Sequence, residues 1–202
     1  MYFALTSTLL ELEKMMTLVP RFSPCGCGVI VHMPSDEGRK ESSHTRCMEE
    51  TMRYIRTPAF RVRFDHYVKE RKDQAMLYRG VRHKTLFQQE VCKRVNPTAA
   101  FLSGLYLLTA DSRLWMKAKD NVHTSGIQFQ GIRLRDASPD AYILFMAAQD
   151  LYRGTRHITV GDLADKSLIS PKMFGILCEA MMLRRYGAAA LLSQDNAEEK
   201  DE

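Results

Sequence analysis

Three pairs in which a polar residue precedes a proline indicate where helices of this chain begin. The pairs are Asn96 with Pro97, Ser138 with Pro139, and Ser170 with Pro171. Each polar side chain suits the N-cap of a helix, and proline is favoured at the first helical position, where its missing N–H leaves no bond unmade. The pairs therefore predict three helix starts, and Thr159 followed by Asp162 predicts a fourth through a capping box.

These signals, together with the apolar periodicity, predict a largely helical chain. Helices are expected at residues 65–78, 83–94, 97–109, 112–119, 139–152, 160–166 and 171–186. Residues 127–135 instead alternate between apolar and polar side chains, which predicts a short strand or hairpin. The expected fold class is mostly α with a minor β element (α+β), a helical bundle that contains a helix-turn-helix-like corner.

Composition and local chemistry divide the chain into three parts. With 202 residues, 45% of them hydrophobic and 26% charged, the chain has the composition of an ordinary globular protein and not of a collagen or a disulfide scaffold. Residues 1–57 are expected to form an irregular, Pro- and Gly-rich segment with a short helix near 6–16. Residues 58–190 are the predicted mainly helical core domain, and residues 191–202 the predicted acidic, disordered tail.

Nothing in the sequence predicts a membrane or secreted protein. Glu11, Glu13 and Lys14 interrupt the apolar start of the chain, so it does not form a secretory signal. The longest uncharged run, residues 95–110, is too short to cross a bilayer. A cytoplasmic protein is expected, with its five cysteines kept as thiols.

A helix-turn-helix pattern lies near the C-terminus. It places apolar residues and a cap where that motif needs them: Leu163, Ala164, Ile169, Ser170 and Phe174. The second helix, 171–186, is apolar on almost every side, which is typical of a buried helix and not of one that enters a DNA groove. Both interpretations stay open, a DNA-binding transcriptional regulator or a corner that only packs.

Two strongly apolar helices are expected at 139–152 and 171–186. They would form the central pair of a helical bundle, or the interface of a homodimer. The sequence does not decide between these two arrangements.

The segment 49–94 is the most basic part of the chain. It holds twelve lysines and arginines against six acidic residues, and aromatic residues lie among the arginines. Arginine beside aromatic rings suits phosphate contacts together with base stacking, although a solvated helix face would have the same composition. Alternation over residues 60–64 predicts a strand with Arg61 and Arg63 on one face. The predicted nucleic-acid or nucleoprotein-binding residues are Arg56, Arg61, Arg63, Arg71, Lys72 and Arg79.

A zinc site is the single metal hypothesis. Four residues could supply thiolate and imidazole ligands for a tetrahedral zinc site: Cys25, Cys27, His44 and Cys47, with His32 between them in the sequence. Neither the Cys25–Cys27 pair nor the His44–Cys47 pair has the Cys-x-x-Cys form, and free thiols are the alternative. The sequence has no P-loop, dinucleotide fingerprint, His-Glu-x-x-His or nucleophile elbow, so no enzyme and no other cofactor is expected. A zinc-stabilised nucleic-acid enzyme remains an alternative.

A family resemblance gives the function a more specific form. Residues 132–142 and 158–186 resemble small accessory proteins carried by phages and conjugative elements of gut Firmicutes, some of which are anti-CRISPR inhibitors of Cas9. The resemblance covers roughly residues 60–190 and supplies no active-site residues. It implies a non-enzymatic protein of a mobile element that engages a Cas9–guide RNA complex, and the charge of 49–94 suggests a basic surface as the contact.

Overall fold

The computed structural model describes residues 44–71 and 76–192, and this part of the chain is mostly helical. Its α-helices are α1 His44–Met52, α2 Pro58–Glu70, α3 Val81–Cys92, α4 Ala99–Thr109, α5 Ser112–Ala118, α6 Pro139–Arg153, α7 Val160–Ala164, α8 Pro171–Tyr186 and α9 Ala189–Leu192. Strands β1 Val122–His123 and β2 Gly126–Ile127 form a two-stranded antiparallel sheet, flanked by 3₁₀ turns at Lys119–Asn121 and Phe129–Gly131. The prediction of a mostly α fold with a minor β element is confirmed.

Helix α4 lies at the centre of the core. Every residue from Phe101 to Ala110 is buried, as expected for a helix that is apolar all round. Helices α6 and α8 both pack against it. Gly104 permits a close approach, because a Cβ at this position would lie 3.1 Å from Ile127 Cδ1. The two apolar helices expected as a central pair therefore bury their apolar faces within one chain, around α4.

Several helix boundaries follow the predicted capping chemistry. The hydroxyls of Ser138 and Ser170 accept hydrogen bonds from the third residue of α6 and α8, respectively. Thr159 and Asp162 form the expected capping box at the start of α7. Gly187 closes α8 with a positive φ of 60°, which glycine adopts without the steric cost of a Cβ. Helix α8 spans the predicted residues 171–186.

Asn96 does not cap a helix. It has a positive φ of 51°, and Thr98 is the N-cap of α4, accepting a hydrogen bond from Phe101 N. The predicted start at residue 97 is therefore two residues early. The polar residue next to the first helical turn takes the cap, and the earlier Asn–Pro pair forms the turn that leads into it.

The predicted strand over residues 127–135 is wrong for most of its length. Only Ile127 belongs to a strand, and a 3₁₀ turn follows at Phe129–Gly131. Ile127, Phe129 and Ile132 are all buried, so the apolar positions serve as separate anchors against the helices. The strand was predicted wrongly because apolar residues that pack separately along an irregular segment can be spaced like the alternating residues of a strand.

The predicted helix over residues 65–78 begins seven residues earlier than expected. Thr57 is the N-cap of α2 and Pro58 its first residue, and the helix ends at Glu70. The alternating residues 60–64 therefore lie in a helix and not in a strand. Positions two apart in a helix are about 200° apart around its axis, so Arg61 and Arg63 do not share a face.

Helix α1 belongs to the core, although residues 1–57 were expected to be irregular. Met48 and Met52 are buried, and α1 packs against α8. The predicted helix near 6–16 and the predicted acidic tail from 193 onward lie outside the described residues. No helix in the described ranges has the length and apolar character needed to span a bilayer.

Candidate nucleic-acid interface

Positive charge is concentrated in the described part of the chain. Residues 44–71 and 76–192 hold 23 lysines and arginines and 13 aspartates and glutamates, a formal excess of ten positive charges. The whole chain has an excess of only five. The helical part is therefore considerably more basic than the overall charge indicates, and its field favours polyanions.

A groove of about 510 Å³ lies between α1 and α2. Its cationic residues are Arg46, Arg53, Arg61 and Lys69, its acidic residues Glu49, Glu50 and Asp65, and its apolar residues Phe64 and Val68. Buried Phe64 and half-buried Val68 give the groove an apolar floor between charged walls. An apolar floor between walls in which cationic residues outnumber acidic ones by four to three suits a ligand that has both flat rings and negative charge.

Glu50 is already paired within the protein. Its carboxylate accepts hydrogen bonds from Tyr186 Oη at 2.8 Å and from Arg46 Nε at 3.1 Å. These two bonds lower the pKa of Glu50. The carboxylate is therefore ionised and internally bonded, and it repels an anion less than an unpaired carboxylate would.

The turn between α1 and α2 projects cations and an aromatic ring outward. Ile55 N and Arg61 Nη1 both donate to the carbonyl of Met52, each at 3.1 Å, which closes the end of α1. The turn leaves Arg53 and Arg56 exposed, and Tyr54 has 74% of its surface exposed. We call Arg46, Arg53, Tyr54, Arg56, Arg61 and Lys69 the α1–α2 surface.

Arg63 lies inside the protein, in contrast to the prediction that it contacts nucleic acid from the same face as Arg61. Only 6% of its surface is exposed, and its guanidinium donates to the carbonyls of Leu163 at 2.8 Å, Asp165 at 3.1 Å and Ile169. The guanidinium also lies 4.5 Å from the ring centre of Phe174. Burial lowers the pKa of Arg63. Its donors are used to fix the corner between α7 and α8.

Among the described residues, Arg71 and Arg79 have their own contacts outside the groove. Arg71 lies over the ring of Tyr67, 5.8 Å from its centre. Arg79 pairs with Asp140 at 2.8 Å and with Asp111 at 3.6 Å, which ties the segment before α3 to the first turn of α6. Lys72 lies outside the described residues. Of the six predicted residues, the structure places Arg56 and Arg61 on the α1–α2 surface.

The helix-turn-helix-like corner is present as a packed element. Ten of the sixteen residues of α8 are buried, and the exposed ones lie at its two ends, including Lys172 near the start and Arg184 and Arg185 near the end. A recognition helix needs a polar face along its length to read base edges. Helix α8 offers none, because both of its flanks pack in the core.

Two of the four predicted zinc ligands lie outside the described residues. Cys25 and Cys27 lie outside the described residues, as does His32. His44 Nε2 is bonded to Glu179 Oε2 at 2.8 Å, while Cys47 lies one helical turn further along α1. Within residues 44–71 and 76–192, no group of three His, Cys, Asp or Glu side chains could hold a metal ion.

A buried carboxylate links three helices behind the groove. Glu179 of α8 is fully buried and accepts hydrogen bonds from Tyr67 Oη of α2 at 3.0 Å and from His44 of α1 at 2.8 Å. Burial, with the nearby Glu179 charge, raises the pKa of Tyr67. The cluster fixes α1 and α2 against the core and so sets the width of the groove.

Arg46, Arg53 and Lys69 were missing from the predicted site residues. Arg46 lies outside the basic segment 49–94, and its helix was assigned to an irregular region. Thr57 before Pro58 carries the same polar–proline signature as the other helix starts. That signature would have placed α2 at Pro58, and the helical spacing would then have put Lys69 on the same side as Arg61 and Asp65.

Comparison with known proteins adds no relative to these observations. No family model, no curated protein and no solved structure matches this chain.

Proposed function

We propose that this protein is a non-enzymatic binding protein that engages single-stranded nucleic acid, free or within a nucleoprotein, through the α1–α2 surface. The observation that carries the proposal is the exposed Tyr54, which lies in the turn next to Arg53, a cationic residue of the groove. Proteins that bind single strands combine a basic groove that follows the phosphates with aromatic rings on which bases stack.

The charge distribution supports a polyanionic ligand. An excess of ten positive charges on the described residues raises the rate of encounter with nucleic acid and its affinity, and both effects weaken as salt rises. Duplex reading receives less support than single-strand binding, because α8 is buried and a stacked duplex does not expose base faces to Tyr54.

A Cas9–guide RNA complex is the more specific partner that we propose. It rests on the resemblance of residues 132–142 and 158–186 to accessory proteins of mobile elements, and on the fit between a basic surface and exposed guide RNA. The described body is basic, so it does not suit an inhibitor that imitates duplex DNA by acidic charge. The partner would instead be held by its RNA.

Salt-dependent binding tests this function. We expect a labelled 20-nucleotide single-stranded RNA to bind with an affinity that falls steeply between 50 and 200 mM salt, measured by fluorescence anisotropy. The triple variant Arg53→Gln, Arg56→Gln, Arg61→Gln should bind at least about tenfold more weakly, and its log–log salt slope should be smaller by about 2, as loss of three phosphate contacts predicts for a single strand. Arg63 is left unchanged because it is buried.

The matched control removes three exposed arginines from another part of the surface. Arg133, Arg135 and Arg156 are exposed, so their replacement by Gln lowers the net charge equally. Equal loss of binding in the two triple variants would contradict the proposed surface, and a flat salt response of the unchanged protein would contradict nucleic-acid binding. The same variants in a pull-down with Cas9–guide RNA test the more specific partner.

A further inference from the structure

We infer that the acidic segment 193–202 occupies the α1–α2 groove of its own chain and competes there with the polyanionic ligand. Its role as a competitor rests on the proposed function, whereas its place in the groove can be measured without any ligand. Three observations carry the inference: the charge of the segment, the place where it is attached and its reach.

The charges of the two parts are complementary. The segment holds Asp195, Glu198, Glu199, Asp201 and Glu202 against one lysine, a formal charge of −4 within ten residues. The groove is lined by four cationic and three acidic residues, and one of the three, Glu50, is already bonded to Arg46 and Tyr186, so cationic side chains remain in excess. Spacing of carboxylates along a peptide resembles the repeated negative charge of a nucleic-acid strand, so both suit the same cationic walls.

Helix α8, which precedes the segment, ends at the wall of the groove. At the end of α8, Tyr186 Oη donates to the Glu50 carboxylate at 2.8 Å, and Arg185 Nη1 donates to the Glu50 carbonyl at 3.2 Å. Glu50 is a lining residue of the groove. The last residues of α8 therefore contact the groove wall directly, and the acidic segment begins only seven residues after Tyr186.

The segment is long enough to return to the wall of the groove that α8 contacts. Leu192 lies six positions after Tyr186, so the attachment point lies at most ~20 Å from Tyr186. Ten extended residues span up to ~33 Å. The segment can therefore reach the groove wall at Glu50, which Tyr186 contacts, without any rearrangement of the described helices.

The short tether makes a weak contact effective. A segment tethered this closely acts at an effective concentration of about 1 mM. With an intrinsic Kd of about 0.1 mM, the segment would occupy the groove in roughly ten of every eleven molecules. An external ligand of the same groove then binds about tenfold more weakly than it would to the open groove.

Zero-length carbodiimide cross-linking of the unchanged chain tests the contact itself. This reagent joins a carboxylate to an amine in direct contact, and Lys69 is the amine of the groove. We expect cross-links from Glu198 or Glu199 to Lys69, within one chain in a mixture of ¹⁵N-labelled and unlabelled protein, and their loss at 0.5 M salt. Cross-links that go chiefly to Lys119 or Lys172, or that form only between chains, would overturn the inference.

Binding measurements test the competition. Removal of residues 193–202 should tighten binding of the single-stranded RNA about tenfold at low salt, and Glu198→Gln with Glu199→Gln should tighten it about threefold. The control Asp120→Asn with Asp136→Asn changes the net charge equally at exposed positions of the described body and should change affinity less than twofold. Equal effects of the two double variants would overturn competition at the groove.

The two proposals fail in different ways. If neither the full chain nor the shortened chain binds RNA, the proposed function is wrong, and the Lys69 cross-link still decides where the acidic segment lies. If both bind RNA with equal affinity and no Lys69 cross-link forms, the proposed function stands and the inference is wrong.

Discussion

Replacement of Arg63 by methionine should destabilise the protein strongly without direct effect on the α1–α2 surface. Methionine keeps much of the apolar contact of the side chain but removes the donors that bond the carbonyls of Leu163, Asp165 and Ile169. A hydrogen bond from a charged donor contributes about 1.5–3 kcal/mol, and the stacking of the guanidinium on Phe174 about 1–2 kcal/mol when it is desolvated.

These contributions are offset by the cost of burying the guanidinium, which methionine avoids. We therefore expect the free energy of unfolding to fall by about 3 kcal/mol. This loss is a large part of the 5–15 kcal/mol typical of a folded domain, but it leaves the native state populated. Arg63→Lys, which keeps the charge but has a smaller fork of donors, should cost about 2 kcal/mol.

Urea unfolding followed by tryptophan fluorescence measures these differences. Trp115 is the single tryptophan of the chain and is 7% exposed, so it reports loss of the core. Arg56→Met is the matched control, since Arg56 is exposed, and it should change the free energy by less than about 0.5 kcal/mol. A loss below 1 kcal/mol for Arg63→Met, together with weakened RNA binding, would refute the structural role assigned to Arg63.

Three further predictions concern the core that supports the groove. Burial lowers the pKa of His83 to about 4, below its unfolded value of 6.5. The free energy of unfolding should therefore fall by about 2 kcal/mol between pH 7 and pH 5, because the unfolded state takes up a proton that the buried imidazole does not. In urea unfolding, a His83→Gln variant should show a smaller pH dependence. Gly175→Ala should lower the free energy of unfolding by about 1–3 kcal/mol, because the added Cβ would lie 2.7 Å from the side chains of Leu77 and Tyr67. The control Gly161→Ala, at an exposed position of α7, should be neutral or stabilising. Equal thermal midpoints of the two variants would contradict this packing. Tyr67→Phe should lower the free energy of unfolding by about 1.5–3 kcal/mol, since it removes the hydrogen bond to the buried Glu179 carboxylate. An unchanged midpoint in urea unfolding would show that this bond does not hold α2 in place.

Local capping chemistry explains why much of the fold could be predicted from the sequence. Ser138, Thr159 and Ser170 each place a side-chain acceptor at a helix start, and this interaction depends on residues within one turn. The centre of the bundle was harder to find, because α4 contains no charged residue and its neighbours in space, α6 and α8, are distant in sequence. Which apolar helix lies innermost is decided by packing among all of them.

The candidate site was only partly predictable for a related reason. The basic character of residues 49–94 is visible in the sequence, but the direction of each side chain depends on helix register. Arg61 and Arg63 differ by two positions, and in α2 this difference separates a groove residue from a buried one. Arg46 joins the site only because α1 packs on α8 and lies beside α2.

Photo-cross-linking of bound RNA to individual residues shows whether single-stranded RNA contacts the α1–α2 surface. A single-stranded RNA that carries 5-bromouridine forms covalent adducts with aromatic side chains on which the base stacks, and mass spectrometry identifies the modified residue. We predict an adduct at Tyr54 that disappears in the Arg53, Arg56, Arg61 triple variant. Adducts that lie instead at Tyr142, which is exposed in α6, and that persist in this variant would contradict it.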